Sequence, residues 1–386
     1  MRRDTVIKLE GVLRATFMKL ALVHDWLNSL GGAERVLIEL HKIFPDAPIY
    51  TLFYNRKFES QYLPDADIRP SFLQKVPLIT NHHKLFAILM PSAIESFDLS
   101  DFDIVLSSSV FFSKGLVLRP KTKHICYCYS PTRQLWDLNS TYNLQFTIYN
   151  FPAKLTQHLL RIWDRQAADR VDEFVAISET VRSRIQKYYK RDSTVIHPPI
   201  SNFKFLISNK IPNTKFETPN NYYLIVSRLY PHKNIDIAIE AFSKLNLPLI
   251  VIGDGPKYKN CKAQIAKCKA KNIKLIGFVP DEELPYYYQN CRAFIMTQEE
   301  DFGLTPLEAM SFGKPVLALR KGGALETIKE GVTGEFFDDP IPEALADGIR
   351  RLNDNYNNYR PDFLISHVEK FSTERFKKQI ENLVKF

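Results

Sequence analysis

Several things are scarce in this sequence, and each scarcity removes a class of protein. There are five cysteines. An odd number does not make a disulfide framework, and none stands at a metal-site spacing. A reducing, cytosolic compartment is therefore expected. No apolar run is long enough to span a bilayer. The opening MRRDTVIKLEGVLRATF mixes charge and apolar residues too evenly for a signal peptide. It reads as an extension, residues 1–17, or as a misassigned start ahead of Met18. No G-x-G-x-x-G occurs, which disfavours a dinucleotide site. No internal repeat is evident, and no nucleic-acid-binding motif.

What is present suits a globular chain. A length of 386 residues predicts two domains, and 45% hydrophobic residues fill two cores. The net charge of +9 points to an anionic partner. Acidic lipid, nucleotide phosphate and nucleic acid all qualify on charge alone.

The most informative stretch is Cys291 to Glu326, CRAFIMTQEEDFGLTPLEAMSFGKPVLALRKGGALE. Ala293 to Met296 reads as a buried strand. Four polar residues, Gln298 to Asp301, follow it. From Leu304 the pattern is helical, with Leu304, Leu307 and Met310 on one face, and Gly313 with Pro315 closes the helix. Pro315 to Leu319 is the next strand, and Gly322-Gly323 opens another helix. In an open parallel sheet both loops lie at strand carboxyl ends, where ligands bind. Amides at a helix start favour anions such as phosphate. Alone, Glu300 reads as a capping acid and Glu308 as a solvated face residue. Beside a phosphate-seeking loop, two carboxylates also suit sugar and ribose hydroxyls, which donate hydrogen bonds.

This stretch resembles the retaining glycosyltransferases of family 4, which have the GT-B fold. Glu300 and Glu308 meet that family's Glu-x7-Glu motif, with Phe302-Gly303, Pro306 and Ala309-Met310 in register. The resemblance implies that Glu300 meets the donor sugar and Glu308 holds the ribose. It also implies that the stretch Phe302, Gly303, Leu304 and Thr305 lies on the donor, with the amides after the glycine on the diphosphate.

Other stretches carry the resemblance along the chain. HDWLNSLGGAERV follows a first strand, Lys19 to Val23. There Gly31-Gly32 is expected at the donor phosphates or the acceptor, and Asp25 and Trp26 on the acceptor side. SRLYPHKNID supplies Arg228 and Lys233, expected to balance charge on a departing diphosphate. Val279 is expected to border the nucleobase through its backbone. Tyr129 is expected on the acceptor side, where relatives commonly carry histidine. Tyrosine donates a hydrogen bond but is no base near neutral pH. Arg133 and Trp136 suit an acceptor, guanidinium for phosphate and indole for stacking on a sugar. Asp101-Phe102-Asp103 is formally Asp-x-Asp, but it precedes its strand and sits at the wrong end for a metal. His124 reads as a structural residue inside a strand.

Residues 68 to 97 mix Phe72, Leu73, Val76, Leu78 and Ile79 with Lys75, His82, His83 and Lys84. Such a segment can lie on a membrane surface. It also reads as a buried helix with a polar flank, and the burial reading leads slightly.

The expected architecture is α/β: a GT-B fold, two Rossmann-like domains facing a cleft. Residues 18–200 form the acceptor-binding domain and residues 201–365 the nucleotide-sugar domain. Residues 366–386 form a C-terminal helix crossing back to the first domain. The expected activity is retaining transfer of a sugar onto a lipid-linked or growing saccharide acceptor. GDP-mannose is the first donor and a UDP-sugar the second, with no metal and no other cofactor. The alternatives are a UDP-sugar transferase of the same fold, a nucleotide-sugar epimerase, and a catalytically impaired binding protein. The expected setting is cytoplasmic, with contact to an anionic membrane at its inner face and no nucleic acid.

Overall fold

The structure, a computed structural model, describes residues 18–137, 151–200 and 221–385. The expected extension at 1–17, and residues 201–220 at the start of the expected nucleotide-sugar domain, lie outside the described residues. Contacts divide the chain into two units. One runs to Val175 and includes Ile185–Ser193; the other comprises Ala176–Arg184 and the chain from Thr194 onward.

Both sheets are parallel and Rossmann-like. The first holds β1 (Leu20–His24), β2 (Ile49–Thr51), β3 (Ile68–Pro70), β4 (Ile104–Ser109), β5 (Lys123–Cys128), β6 (Glu173–Ala176) and β7 (Ser193–Val195). Its order is β3-β2-β1-β4-β5-β6-β7. The second holds β8 (Tyr223–Val226), β9 (Leu249–Ile252), β10 (Ile273–Gly277), β11 (Ala293–Met296), β12 (Val316–Leu319) and β13 (Gly334–Phe337). Its order is β10-β9-β8-β11-β12-β13.

The central strands are near-continuous apolar runs because helices cover both faces of a parallel sheet. LIVI in β9, AFIM in β11 and VLAL in β12 are buried at every residue. Each sheet builds outward from its first strand in both directions, so the order reverses once. The reversal lies between β1 and β4 in the first sheet, and between β8 and β11 in the second. The helices feeding the two neighbouring strands leave in opposite directions there, and a crevice opens at the carboxyl ends. The fold thus selects His24 to Leu27 with the end of β4, and Ser227 to Lys233 with Thr297 to Gly303.

The last helix, Thr373–Val384, is amphipathic. Its buried side chains are Phe376, Ile380 and Val384, and Ser372 caps it by accepting from the Arg375 amide. Just before it, the Ile200 amide donates to the Phe371 carbonyl at 2.9 Å.

Candidate active site

At the second reversal, Lys233 and Glu300 form an ion pair. Lys233 closes a short turn after β8 and is only 9% exposed. Its ammonium reaches Glu300 Oε1, and Gln298 Nε2 donates to the same oxygen at 2.8 Å. The backbones are tied as well. Thr297 Oγ1 donates to the Lys233 carbonyl at 2.7 Å, and Asn234 Nδ2 to the Thr297 carbonyl at 3.2 Å. The two loops are therefore tied into one polar cluster, most of it buried.

The helix Leu304–Ser311 starts directly after this loop. Gly303 precedes it at φ +89°, a left-handed conformation that glycine adopts without strain. Gly303, Leu304 and Thr305 are half-exposed. The first amides of any helix lack intrahelical acceptors, so this start remains open to an anion. Glu308 lies a turn further on and is buried. Tyr288 OH donates to its Oε2 at 2.6 Å, and the Tyr288 ring stacks on Phe312. Phe302 is buried and stacks on His197 at 5.2 Å. Its side chain is a packing element, while its backbone leads into the helix start.

Gly322-Gly323 backs the same loop. The Gly323 amide donates to the Glu300 carbonyl at 2.9 Å. A Cβ on Gly322 would lie 2.2 Å from that carbonyl oxygen, and one on Gly323 2.3 Å from Phe302 Cα. Side chains there would push Glu300 out of place. Arg228 is exposed, with its guanidinium over the Tyr230 ring at 6.0 Å. Val279 is buried beside Phe278, which is 77% exposed.

In the first unit the nominated residues divide by what they touch. Asp25 is buried at the end of β1. Its Oδ2 accepts from the amides of Val110 and Phe111, at 2.7 and 2.9 Å, and its Oδ1 from those of Phe112 and Ser113, at 2.5 and 2.9 Å. Four amides occupy the carboxylate, so Asp25 builds the loop after β4 and is not offered to an acceptor. Trp26 is half-buried between Phe53 and Phe111. Trp136 stacks on Tyr188 at 5.1 Å and donates from Nε1 to Asp164 Oδ2 at 2.8 Å. Its indole face is already occupied by protein. Arg133 opens the short helix Arg133–Trp136 and is half-buried.

Tyr129 links β5 to the glycine loop. Its hydroxyl donates to the Ala33 carbonyl at 3.0 Å and lies 2.9 Å from Ser108 Oγ. Burial pushes its phenol well above the ordinary range, so it stays protonated and acts as a strut. Gly31 is extended at φ −135°. A Cβ there would lie 2.7 Å from Glu34 Oε2, so the space the glycine leaves is taken by Glu34.

Several partners in these sites leave no signal in the sequence. Gln298 on Glu300 and Tyr288 on Glu308 are two. A third is the buried Lys114–Asp164 pair at 2.6 Å, joined by Thr132 and Tyr189. Among the described residues no group of three His, Cys, Asp or Glu side chains is arranged to hold a metal. Asp103 instead accepts from the Lys19 amide at 3.0 Å.

Two family descriptions match the chain in tandem. Glycosyltransferase Family 4 matches residues 30–201, and Glycosyl transferases group 1 matches residues 207–363. This chain is a GT-B glycosyltransferase. It is similar to the alpha-1,3/1,6-mannosyltransferase ALG2 of Dictyostelium discoideum, at 23% identity over 95% of this chain and 98% of that protein. It is also similar to an uncharacterized glycosyltransferase of Methanocaldococcus jannaschii, at 26% identity over 50% of this chain and 53% of that one. Among solved structures, Anabaena HepE in complex with UDP and glucose superposes with a TM-score of 0.68. It is 19% identical and covers 96% of this chain and 100% of its own.

Proposed function

We propose that this glycosyltransferase moves mannose from GDP-mannose onto a lipid-linked or growing saccharide, with retention at the anomeric carbon. The observation that carries the reading is the Lys233–Glu300 pair beside the open start of the helix Leu304–Ser311. Amides and ammonium suit a diphosphate, and the carboxylate suits a sugar hydroxyl or developing positive charge on its ring. Arg228 adds charge at the same strand end. Glu308, held by Tyr288, suits the ribose, and Val279 borders the base. The likeness to a protein named as a mannosyltransferase favours mannose. A UDP-sugar is the second reading, favoured by the HepE complex with UDP and glucose.

In the reaction, the bond between the anomeric carbon and the diphosphate oxygen breaks. The acceptor oxygen bonds to that carbon on the same face, and its proton passes to the departing diphosphate. No metal is required, because Lys233, Arg228 and the helix amides carry the counter-charge. In the first unit, Gly31-Gly32, Trp26 and Arg133 remain the residues proposed for donor phosphate or acceptor, and Tyr129 positions the glycine loop.

The setting we propose is the inner face of an anionic membrane. Leu78 and Leu85 are 66% and 79% exposed, with Phe72 and Ile88 exposed nearby. No acidic residue occurs from Ile68 to Ile94, while Arg69, Lys75 and Lys84 do. A thermal-shift series with GDP, UDP and ADP tests the donor. GDP should raise the melting temperature most, because a ligand that binds only the folded state stabilises it. A larger rise with UDP would move the assignment to a UDP-sugar.

A further inference from the structure

Three acidic residues, Glu299, Glu300 and Asp301, follow one another after β11. Glu300 turns toward Lys233 and Gln298. Glu299 and Asp301 both meet one guanidinium, that of Arg184. Its Nη2 donates to Glu299 Oε1 at 2.6 Å and its Nη1 to Asp301 Oδ1. All of these residues belong to the second unit, and the Arg184 side chain is only 12% exposed. Adjacent carboxylates repel, and the repulsion grows as water is excluded. An arginine fork can hold two carboxylates at once, while a lysine is a single point charge.

The helix carrying Arg184, Glu179–Tyr189, is anchored to the same loop. Ser178 Oγ donates to the Asp301 carbonyl at 2.5 Å. Glu326 accepts from the amides of Glu179 and Thr180, at 2.9 and 3.2 Å. Glu326 itself follows Gly322-Gly323, the pair packed on the Glu300 backbone. The loop is therefore gripped through its backbone on one side and through its two flanking carboxylates on the other.

We propose that Arg184 is the positioning residue of this site: by holding Glu299 and Asp301 aside, it aims the Glu300 carboxylate at the donor sugar. This rests on the reading of Glu300 as a donor-sugar contact. It assigns Arg184 no contact with the donor.

Calorimetric titration of the full chain with GDP-mannose and GDP, and with UDP-glucose and UDP, tests it. Glu300→Ala serves as the reference for a lost sugar contact. Arg184→Gln should weaken nucleotide-sugar binding about tenfold, as Glu300→Ala does, while the free nucleotide stays within about threefold of wild type. Adding Glu299→Gln and Asp301→Asn to Arg184→Gln should restore sugar binding, because the unbalanced charge is gone. A merely structural role would leave the triple variant as weak as Arg184→Gln or weaker, and that result overturns the proposal. So does unchanged nucleotide-sugar binding by Arg184→Gln. If Arg184→Gln does not fold, Arg184→Lys reads the same contact, since a single point charge cannot hold both carboxylates: a selective loss of sugar binding supports the proposal, and none overturns it. Wild-type protein that binds neither nucleotide-sugar would instead bring down the functional reading, and this inference with it.

Discussion

Tyr288 donates its hydroxyl hydrogen to Glu308 at 2.6 Å, across the helix pair that backs the candidate nucleotide site. The bond fixes the buried carboxylate proposed to hold the ribose. A hydrogen bond to a charged group is worth about 1.5–3 kcal/mol. Tyr288→Phe should therefore lower stability by about that amount, measured by urea unfolding. It should also weaken nucleotide binding several-fold, measured by calorimetry. Unchanged nucleotide affinity would remove Glu308 from the ribose contact.

Asp25 is expected to matter for folding rather than for the acceptor. Asp25→Ala leaves four amides of the loop after β4 without their acceptor. The loss should be at least about 3 kcal/mol, since each buried unpaired donor carries a desolvation cost. Denaturant unfolding reads it directly. A variant of wild-type stability would show that the loop finds other partners.

His124 gives the first sheet a pH dependence. Burial lowers its pKa from 6.5 to about 4, against the opposing pull of Asp172. The unfolded chain takes up a proton as pH falls through 6.5, and the folded chain does not until about 4. Stability is thus full above pH 6.5 and declines between these values, by on the order of 3 kcal/mol. His124→Gln should flatten this part of the stability–pH curve.

The exposed leucines make the membrane proposal measurable. Co-sedimentation with vesicles containing an anionic phospholipid should capture the protein, and purely zwitterionic vesicles should capture much less. Leu78→Ser with Leu85→Ser should reduce capture while leaving nucleotide binding intact. Equal capture of the double variant would remove this segment from the contact.

Much of the second unit was legible in the sequence for a physical reason. Strands buried on both faces are apolar runs, and the loop carrying Glu300 lies between one such run and a helix with a glycine start. Glu300, Gly303 and Glu308 are local in sequence, so their spacing reports their grouping. Gln298 is local to Glu300, but the other partners around the site are not. Tyr288 lies 20 positions from Glu308, and Arg184 lies 115 from Glu299. No periodicity encodes such contacts. The first unit was harder to read. Asp25 and Trp136 carry functional groups that suit a ligand, yet the fold uses them on amides and on Asp164. In sequence, the segment after Phe72 leans toward burial. It divides instead, with Leu73, Ile79 and Met90 buried and Leu78 and Leu85 exposed. Its short turns carry no single helical period to reveal this.

The account depends most on Glu300. The direct measurement is turnover of GDP-mannose, and of UDP-glucose in parallel, by wild type and Glu300→Ala, with free-nucleotide affinity measured on the same samples. We predict a loss of at least about 100-fold in turnover, with nucleotide affinity kept within about threefold, the signature of a group acting on developing charge. Turnover by Glu300→Ala within about threefold of wild type would contradict the assignment of this site.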